Sequence, residues 1–237
     1  MGINTHVFEN SAADKKRALD KALAGIESPK YATLPLKKKK ELVEELRHLI
    51  VADKTPFTVE SLSDVEALPA WKRSMPALEK LSKDEEPAIR MLTAAALTSV
   101  GYIHESAMVK AMGELIFLRE DEDEGVRREV VEGIGCLGYN HIPLVQGAML
   151  TLAPHEGDSV EVLLAAAAKI SQIGTLNKTN ADLARETLGE FVNLLEDKPD
   201  LFDKKSRVTL NLRIEEIDAA EKRGFQTPLV LKGPFRG

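Results

Sequence analysis

The sequence predicts an all-α protein, a right-handed α-solenoid built from antiparallel pairs of helices. Three observations lead to this prediction. Residues 89–115 match residues 126–152, and the apolar residues inside each matching segment recur at helical spacing. A third observation is composition, because aromatic residues are only 5% of the 237 residues, which favours close helix packing over a β-sandwich.

The internal match is visible residue by residue. Gly-Tyr-x-His occurs at 101–104 and again at 138–141, and residues 126–138 align in turn with residues 162–174. In a solenoid each helical pair buries its apolar face only against its neighbours, so the same pattern has to recur along the chain.

Residues 1–69 are predicted to form an N-terminal capping unit. Residues 1–10 are interpreted as a loose leader, and helices are expected at 11–26 and 35–52. The many charges of these two helices suit the polar outer face of a terminal unit. A short helix is expected at 61–67.

Residues 70–196 are predicted to hold the repeats. A helix at 70–81 precedes them, and Pro76 inside it is expected to start the helix or kink it. Three pairs follow, each made of a first and a second helix, at 86–100 and 106–118, at 125–137 and 143–152, and at 160–173 and 180–195.

The whole chain, residues 1–237, is predicted to be a single α-solenoid domain. Its C-terminal cap, residues 197–224, contains a helix at 205–223, and residues 225–237 form an extended tail.

Composition and charge restrict the function classes. The formal net charge of −6 argues against a general nucleic-acid binder, which usually has a basic footprint. The single cysteine, Cys136, excludes an intrachain disulfide and suits a reducing compartment. No apolar run approaches the roughly 18 residues of a membrane span, so we expect a cytoplasmic protein without membrane insertion.

Residues 133–138 match G-x-G-x-x-G literally, which suggests a dinucleotide-binding loop. That loop needs a strand before its glycines and a helix after them, whereas residues 126–132 are helical in character. The glycines are therefore interpreted as close-packing positions between helices, with Gly138 ending its helix.

Other candidate chemistry is weak. The repeated Tyr-x-His pairs at 102–104 and 139–141 offer no third ligand at fixed spacing, so a repeated turn is preferred over a metal site. The acidic run 120–124 and the basic run 37–40 are interpreted as solvated helix surface. We expect no catalytic residue, no metal and no cofactor.

Three segments resemble HEAT repeats of the subtype named after phycobilisome lyases: SMPALEKLSKDEEPAIRMLTAAALTSVG, AMGELIFLREDEDEGVRREVVEGIGCLG and AMLTLAPHEGDSVEVLLAAAAKISQIG. This subtype has a second helix, an acidic turn, a Val-Arg pair and an alanine-rich first helix that ends in Gly. The resemblance is specific from Met75 to Gly174. It implies an α-solenoid whose second helices line a concave binding surface.

The same resemblance implies a ladder of acidic and arginine side chains between adjacent repeats. Asp84 with Arg90, and Asp121 or Asp123 with Arg127, fit this pattern. The third repeat has Leu163 at the arginine position, so the ladder is expected to stop there.

The outward face of the second helices is the predicted binding surface, because it mixes small, apolar and polar residues. Periodicity leaves Phe117 either exposed or, if the register slips by one, in the core. The candidate partner-binding residues are Lys110, Glu114, Phe117, Leu150, Thr151, Glu190 and Asn193.

The predicted function is a non-enzymatic scaffold or adaptor that binds a protein partner of unknown identity, with no nucleic acid expected. The alternatives are enzyme-associated: a bilin lyase-like protein or another HEAT subunit of an enzyme, and, with less support, a HEAT-like DNA glycosylase. The glycosylase alternative expects a basic, aromatic-lined concave face.

Overall fold

The computed structural model describes residues 12–52, 68–103 and 105–225. These residues form α-helices joined by turns and single-turn 3₁₀ helices, with no strand among them, which confirms the all-α class. The α-helices are α1 (Ala12–Glu27), α2 (Leu36–Ala52), α3 (Ala70–Leu81), α4 (Pro87–Ile103), α5 (Met108–Leu118), α6 (Glu124–Asn140), α7 (Val145–Leu152), α8 (Val160–Gly174), α9 (Lys178–Asp197) and α10 (Lys204–Lys222).

The leader at residues 1–10, the short helix predicted at 61–67 and residues 226–237 of the predicted tail lie outside the described residues. Elsewhere the predicted helices agree with the observed ones to within a few residues. The confirmed architecture is an α-solenoid of helical pairs.

The helices form two layers. The first-helix layer contains α2, α4, α6, α8 and α10, and the second-helix layer contains α1, α3, α5, α7 and α9. A continuous apolar core lies between the layers, with Leu97 and Ile134 contributed by the first and Leu115 by the second. Trp71, the only tryptophan of the sequence, is buried in this core.

Side-chain caps fix where several helices begin. Asp123 accepts a hydrogen bond from the Val126 amide at 3.0 Å, and Ser159 and Asn177 cap α8 and α9 in the same way. Such residues satisfy amides that have no partner in the first turn of a helix. The helices therefore start directly after the acidic or polar turns.

Two expectations about helix ends are wrong. Helix α6 continues through Gly138 to Asn140, so Gly138 does not end it. Pro76 does not start α3, which runs from Ala70 to Leu81 with Pro76 exposed inside it, and the kink at Pro76 stays a prediction. In both helices tertiary packing overrides the local signal, since each lies against two or more neighbours.

The glycines of α6 are close-packing positions, as predicted. A Cβ on Gly133 would overlap Thr98 of α4, and a Cβ on Gly135 would overlap the Lys169 side chain of α8. A Cβ on Gly138 would lie 2.5 Å from the Cβ of Ala148 in α7. The absence of side chains at these positions lets neighbouring helices approach α6 from three sides.

The two layers differ in helix spacing. In the first-helix layer α6 packs along its length against α4 and α8, whereas α5 and α7 contact each other at few points. The first-helix layer is therefore the more continuously packed of the two layers.

That the second helices line a concave surface stays a prediction. The predicted binding residues lie on α5, α7 and α9 of the second-helix layer.

A ladder of ion pairs connects successive repeats, with a different register from the predicted one. Arg90 donates to the carboxylate of Asp121, from Nε at 2.6 Å and from Nη2 at 2.8 Å. These bonds raise the pKa of the Arg90 guanidinium above its ordinary value. Within its own repeat Arg90 bonds only backbone, the carbonyl oxygens of Asp84 and Glu85.

Arg127 repeats this arrangement one unit later. It donates to the carbonyl oxygen of Asp121 at 2.8 Å and to Oδ1 of Asp158, in the third repeat, at 3.2 Å. Each arginine therefore joins its own acidic turn to the aspartate of the following turn. In the third repeat the arginine position is occupied by Leu163, which is buried. The ladder therefore does not continue from this position, as predicted.

The ladder starts at a buried lysine. Lys39 of α2 places its Nζ 3.3 Å from Oδ1 of Asp84 and 5.1 Å from the centre of the Tyr31 ring. The interpretation of residues 37–40 as solvated surface is therefore wrong for Lys39, which takes the place of the ladder arginine in the N-terminal unit.

Candidate partner-binding surface

Helix α5 carries the first part of the predicted surface. Phe117 is 55% exposed, so the alternative in which it enters the core is wrong. Lys110 is also exposed and pairs with Glu79 of α3 at 2.6 Å, while Glu114 is half-buried. The Lys83 ammonium lies 5.7 Å from the centre of the Phe117 ring, on its α3 side.

Helix α7 carries the second part. Leu150 is 68% exposed, which is unusual for a leucine in a structured helix. Thr151 is half-buried, and its hydroxyl donates to the carbonyl oxygen of Gly147 at 2.8 Å. That hydroxyl is used within its own helix, so Leu150 is the residue of this pair that is available to a partner.

Glu190 and Asn193 lie on α9, the next helix of the second-helix layer, and both are exposed. They follow the exposed Glu186 along one stripe of the helix. The structure thus distributes the predicted residues over three successive helices of one layer, with apolar side chains on α5 and α7 and an acidic stripe on α9.

Two apolar residues of this surface were missed by the sequence prediction. Val109 is 70% exposed and Ile116 is 43% exposed, both on α5. The prediction assumed a narrow exposed stripe opposite the buried one. Because α5 and α7 lie apart, a wider arc of each helix is open to solvent, and Val109 and Ile116 fall within it.

The surface is open rather than pocketed. A Cβ added to Gly113 of α5 or to Gly147 of α7 would meet no atom within 4 Å. At these two glycines no side chain projects from the helix between the larger exposed side chains. The geometry suits a partner that lies across the helices more than a small ligand, which prefers an enclosed site.

We call this area the outer apolar surface and define it by Val109, Ile116, Phe117 and Leu150. Helix α5 contributes one basic and one acidic residue around it, and α7 contributes no charged residue. In a chain that is 30% charged, this region is the low-charge part of the second-helix layer.

The first-helix layer holds the single cysteine. Cys136 lies half-buried on α6, where Asn140 Nδ2 is 3.8 Å from its Sγ. Lys169 of α8 is nearby and pairs with Glu132 at 2.6 Å. Burial raises the pKa of the Cys136 thiol, and it outweighs the opposing influence of Lys169 and Asn140.

We expect Cys136 to react slowly with a maleimide at pH 7.5. A raised pKa leaves less thiolate than in an unstructured peptide, and the thiolate is the reactive form. Labelling should be at least tenfold slower in the native chain than in the chain unfolded by urea, as followed by mass spectrometry. Equal rates would contradict this placement of Cys136.

Residues 12–52, 68–103 and 105–225 contain no group of three or more His, Cys, Asp or Glu that could hold a metal ion. His104, one half of the repeated Tyr-x-His motif, lies outside these residues. Over the same residues no helix is long and apolar enough to cross a membrane.

The fold and this surface define the class of protein: an all-α helical repeat protein. No protein-family model matches the chain, and no curated protein matches it. Among solved structures it is similar to an engineered protein, with a TM-score of 0.44 and 18% identity over 90% of this chain and 94% of that one.

A designed armadillo repeat protein in complex with the peptide (KR)4 is similar at a TM-score of 0.46. The identity is 17% over 88% of this chain and 100% of the other. Likeness at this level says nothing about what the present chain binds.

Proposed function

We propose that the protein is a non-enzymatic scaffold or adaptor that binds a protein partner through the outer apolar surface. The observation that carries this proposal is the exposure of Val109, Ile116, Phe117 and Leu150 on two successive second helices. Exposed apolar side chains grouped in this way on a soluble protein mark interaction sites. Phe117 is the expected anchor, since aromatic residues are enriched at the centres of interfaces.

The scaffold around the surface supports this proposal. Met112 and Leu115 on α5, and Met149 and Leu152 on α7, are buried and fix the rotation of each helix. The exposed side chains are therefore held in position before binding, which lowers the entropy cost of association.

The surroundings favour a protein over a nucleic acid. The charged groups beside Phe117 are of both signs, Lys83 and Lys110 with Glu79 and Glu114, rather than the row of lysines and arginines that phosphates require. The bilin lyase-like and DNA glycosylase alternatives rest on resemblance alone, and no contact described above favours either.

The test compares two double variants with the wild-type chain. Partners are captured with the tagged protein and identified by mass spectrometry, and the Kd of the main partner is then measured for each variant. Phe117→Ser with Leu150→Ser should weaken binding at least tenfold, which is about 1.4 kcal/mol.

The matched control is Val208→Ser with Leu212→Ser on α10, which removes two exposed apolar side chains outside the outer apolar surface. Binding should be unchanged in this control. If the α5–α7 variant binds as well as wild type, or if both variants lose binding equally, the assignment of the surface is wrong.

A further inference from the structure

The first-helix layer ends at α10, and two glycine contacts fix the register of α10 against α8. A Cβ on Gly138 of α6 would lie 3.0 Å from Cδ1 of Ile173 in α8. A Cβ on Gly174 of α8 would lie 3.0 Å from Cδ1 of Ile217 in α10. Ile217 therefore has the position in α10 that Ile173 has in α8, and residues at equal distances before the two isoleucines lie side by side.

This register places four apolar residues next to one another on the solvent side of α8 and α10. Leu164 and Ala168 of α8, and Val208 and Leu212 of α10, precede the isoleucine of their own helix by nine and five residues. Val208 is 52% exposed and Leu212 is 48% exposed, while Leu164 and Ala168 are half-buried. We call these four residues the terminal apolar surface.

The terminal apolar surface is unexpected at the end of a helical array. A terminal unit usually presents polar residues, because no further repeat covers it. At the same two positions of α6 the residues are Arg128 and Glu132, both exposed. The solvent side of the first-helix layer therefore does not require apolar residues at these positions, and removing Val208 and Leu212 from water would stabilise the chain.

The chain leaves α10 in a direction that keeps it against the array. Helix α10 ends at Lys222, and Gly224 has a φ of 71°, in the left-handed region that turns a chain out of a helix. Phe225 follows directly and is half-buried, with its side chain packed against the core. The residues after Phe225 therefore start beside the helices rather than along the continued axis of α10.

The segment that follows has a suitable composition. Residues 226–231, QTPLVL, lie outside the described residues and contain three consecutive apolar residues and no charge. Pro228 restricts the residue before it to extended backbone. In an extended segment Leu229 and Leu231 lie on one side and Val230 on the other. The segment can therefore present two leucines, about 7 Å apart, to one surface.

The distances along α10 match this segment. An extended chain advances about 3.3 Å per residue, so Leu231 can reach about 20 Å from Phe225. Val208 lies 14 residues before the last residue of α10, which is about 21 Å along the helix axis. Leu229 and Leu212 are each about 6–7 Å nearer to the end of α10. A segment antiparallel to α10 therefore places Leu229 beside Leu212 and Leu231 beside Val208.

We infer that residues 226–231 return along α10 and cover the terminal apolar surface of their own chain, with Leu229 on Leu212 and Leu231 on Val208. The segment closes the first-helix layer, as a polar terminal helix does in other arrays. This surface belongs to a different layer from the outer apolar surface. The inference therefore goes beyond the proposed function and does not depend on it.

Photo-crosslinking within the purified full chain tests this contact. A photoreactive phenylalanine analogue replaces Leu212, and the irradiated chain is digested and mapped by mass spectrometry. The expected adduct joins position 212 to residues 226–231. The matched control has the analogue at Val109, which is 70% exposed on α5, and should give no adduct to this segment. No adduct from position 212, or equal adducts from both positions, would overturn the inference.

A mixture of 15N-labelled and unlabelled chains shows which chain supplies the segment. An adduct within one chain joins two labelled or two unlabelled peptides, whereas an adduct between two copies also joins one of each. Adducts without isotope mixing are the expected result. Mixed adducts in the proportion of random pairing would assign the terminal apolar surface to a second copy and contradict the inference.

Cysteine accessibility provides a second measurement. In a Cys136→Ser chain, Val208→Cys places a thiol on the terminal apolar surface, and its maleimide labelling rate is measured with and without Leu229→Ser/Leu231→Ser. Removing both leucines should raise the rate about tenfold, because a covered thiol reacts only when the segment opens. Val230→Ser is the matched control and should leave the rate unchanged. A rate that the leucine substitutions do not change, or that Val230→Ser raises equally, would contradict the proposed contact.

Discussion

Replacing Asp158 by asparagine should lower the free energy of unfolding by about 3–5 kcal/mol, the range for breaking a buried ion pair. The Arg119 side chain is 2% exposed and that of Asp158 is fully buried. Arg119 donates to both carboxylate oxygens, at 2.9 and 2.5 Å, and Arg127 donates to one of them at 3.2 Å. Asparagine removes the charge and turns an NH2 group toward guanidinium donors.

Urea denaturation at pH 7 measures this effect. Asp20→Asn is the control, because Asp20 also pairs with an arginine, Arg73, but is 49% exposed. Its loss should be below about 1 kcal/mol, as for surface pairs. If Asp158→Asn costs no more than Asp20→Asn, then Arg119 reaches solvent when it loses its partner, and the pair does not hold α5 to the turn before α8.

Replacing Gly138 by alanine should destabilise the chain by about 1–3 kcal/mol, the usual cost of overpacking a core. The new Cβ would lie 2.5 Å from the Cβ of Ala148 and 3.0 Å from Cδ1 of Ile173. The Cδ1 methyl of Ile173 can turn aside, but the Cβ of Ala148 is fixed to its backbone, so α7 has to shift. The helix propensity gained from alanine, up to about 1 kcal/mol, offsets only part of this cost.

Gly113→Ala is the matched variant, also inside a helix but with no atom within 4 Å of the added Cβ. It should stabilise the chain by about 0.5–1 kcal/mol. Opposite signs for the two substitutions, measured by thermal or urea unfolding, are the expected result. Stabilisation by both would show that α6 is not packed closely against α7 and α8.

Much of this fold could be predicted from the sequence, because a repeated structure requires the same pattern of apolar residues in each repeat. The pattern of apolar residues predicted the number and order of the helices in the repeats. The end of α6 could not be predicted in this way. Gly138 is a common stop signal, and only the neighbouring Ala148 shows that its missing side chain is needed for packing.

The sequence predicted that ion pairs connect the repeats, but it did not predict which residues form them. The acidic turns and arginines indicated a ladder, yet Arg90 and Arg127 bond the carboxylates of the following turns rather than their own. Nothing in the sequence around Arg119 indicates that it pairs with Asp158, 39 residues away. Arg119 follows the last residue of α5, where a basic residue is expected on the surface for its interaction with the helix dipole.

The exposure of the outer apolar surface was half predicted. Periodicity placed Leu150 opposite the buried stripe of its helix but left Phe117 either exposed or in the core, and both are exposed. It could not place Val109 and Ile116, since their exposure depends on the gap between α5 and α7.

The measurement that most directly tests the outer apolar surface is site-specific photo-crosslinking in cells. A photoreactive phenylalanine analogue is placed at Phe117, at Leu150 and, for comparison, at Gln172, which is exposed on α8 in the first-helix layer. Adducts to a shared partner from positions 117 and 150, with none from 172, are the predicted result. Adducts from 172 with none from 117 or 150 would contradict the account and place the partner on the first-helix layer.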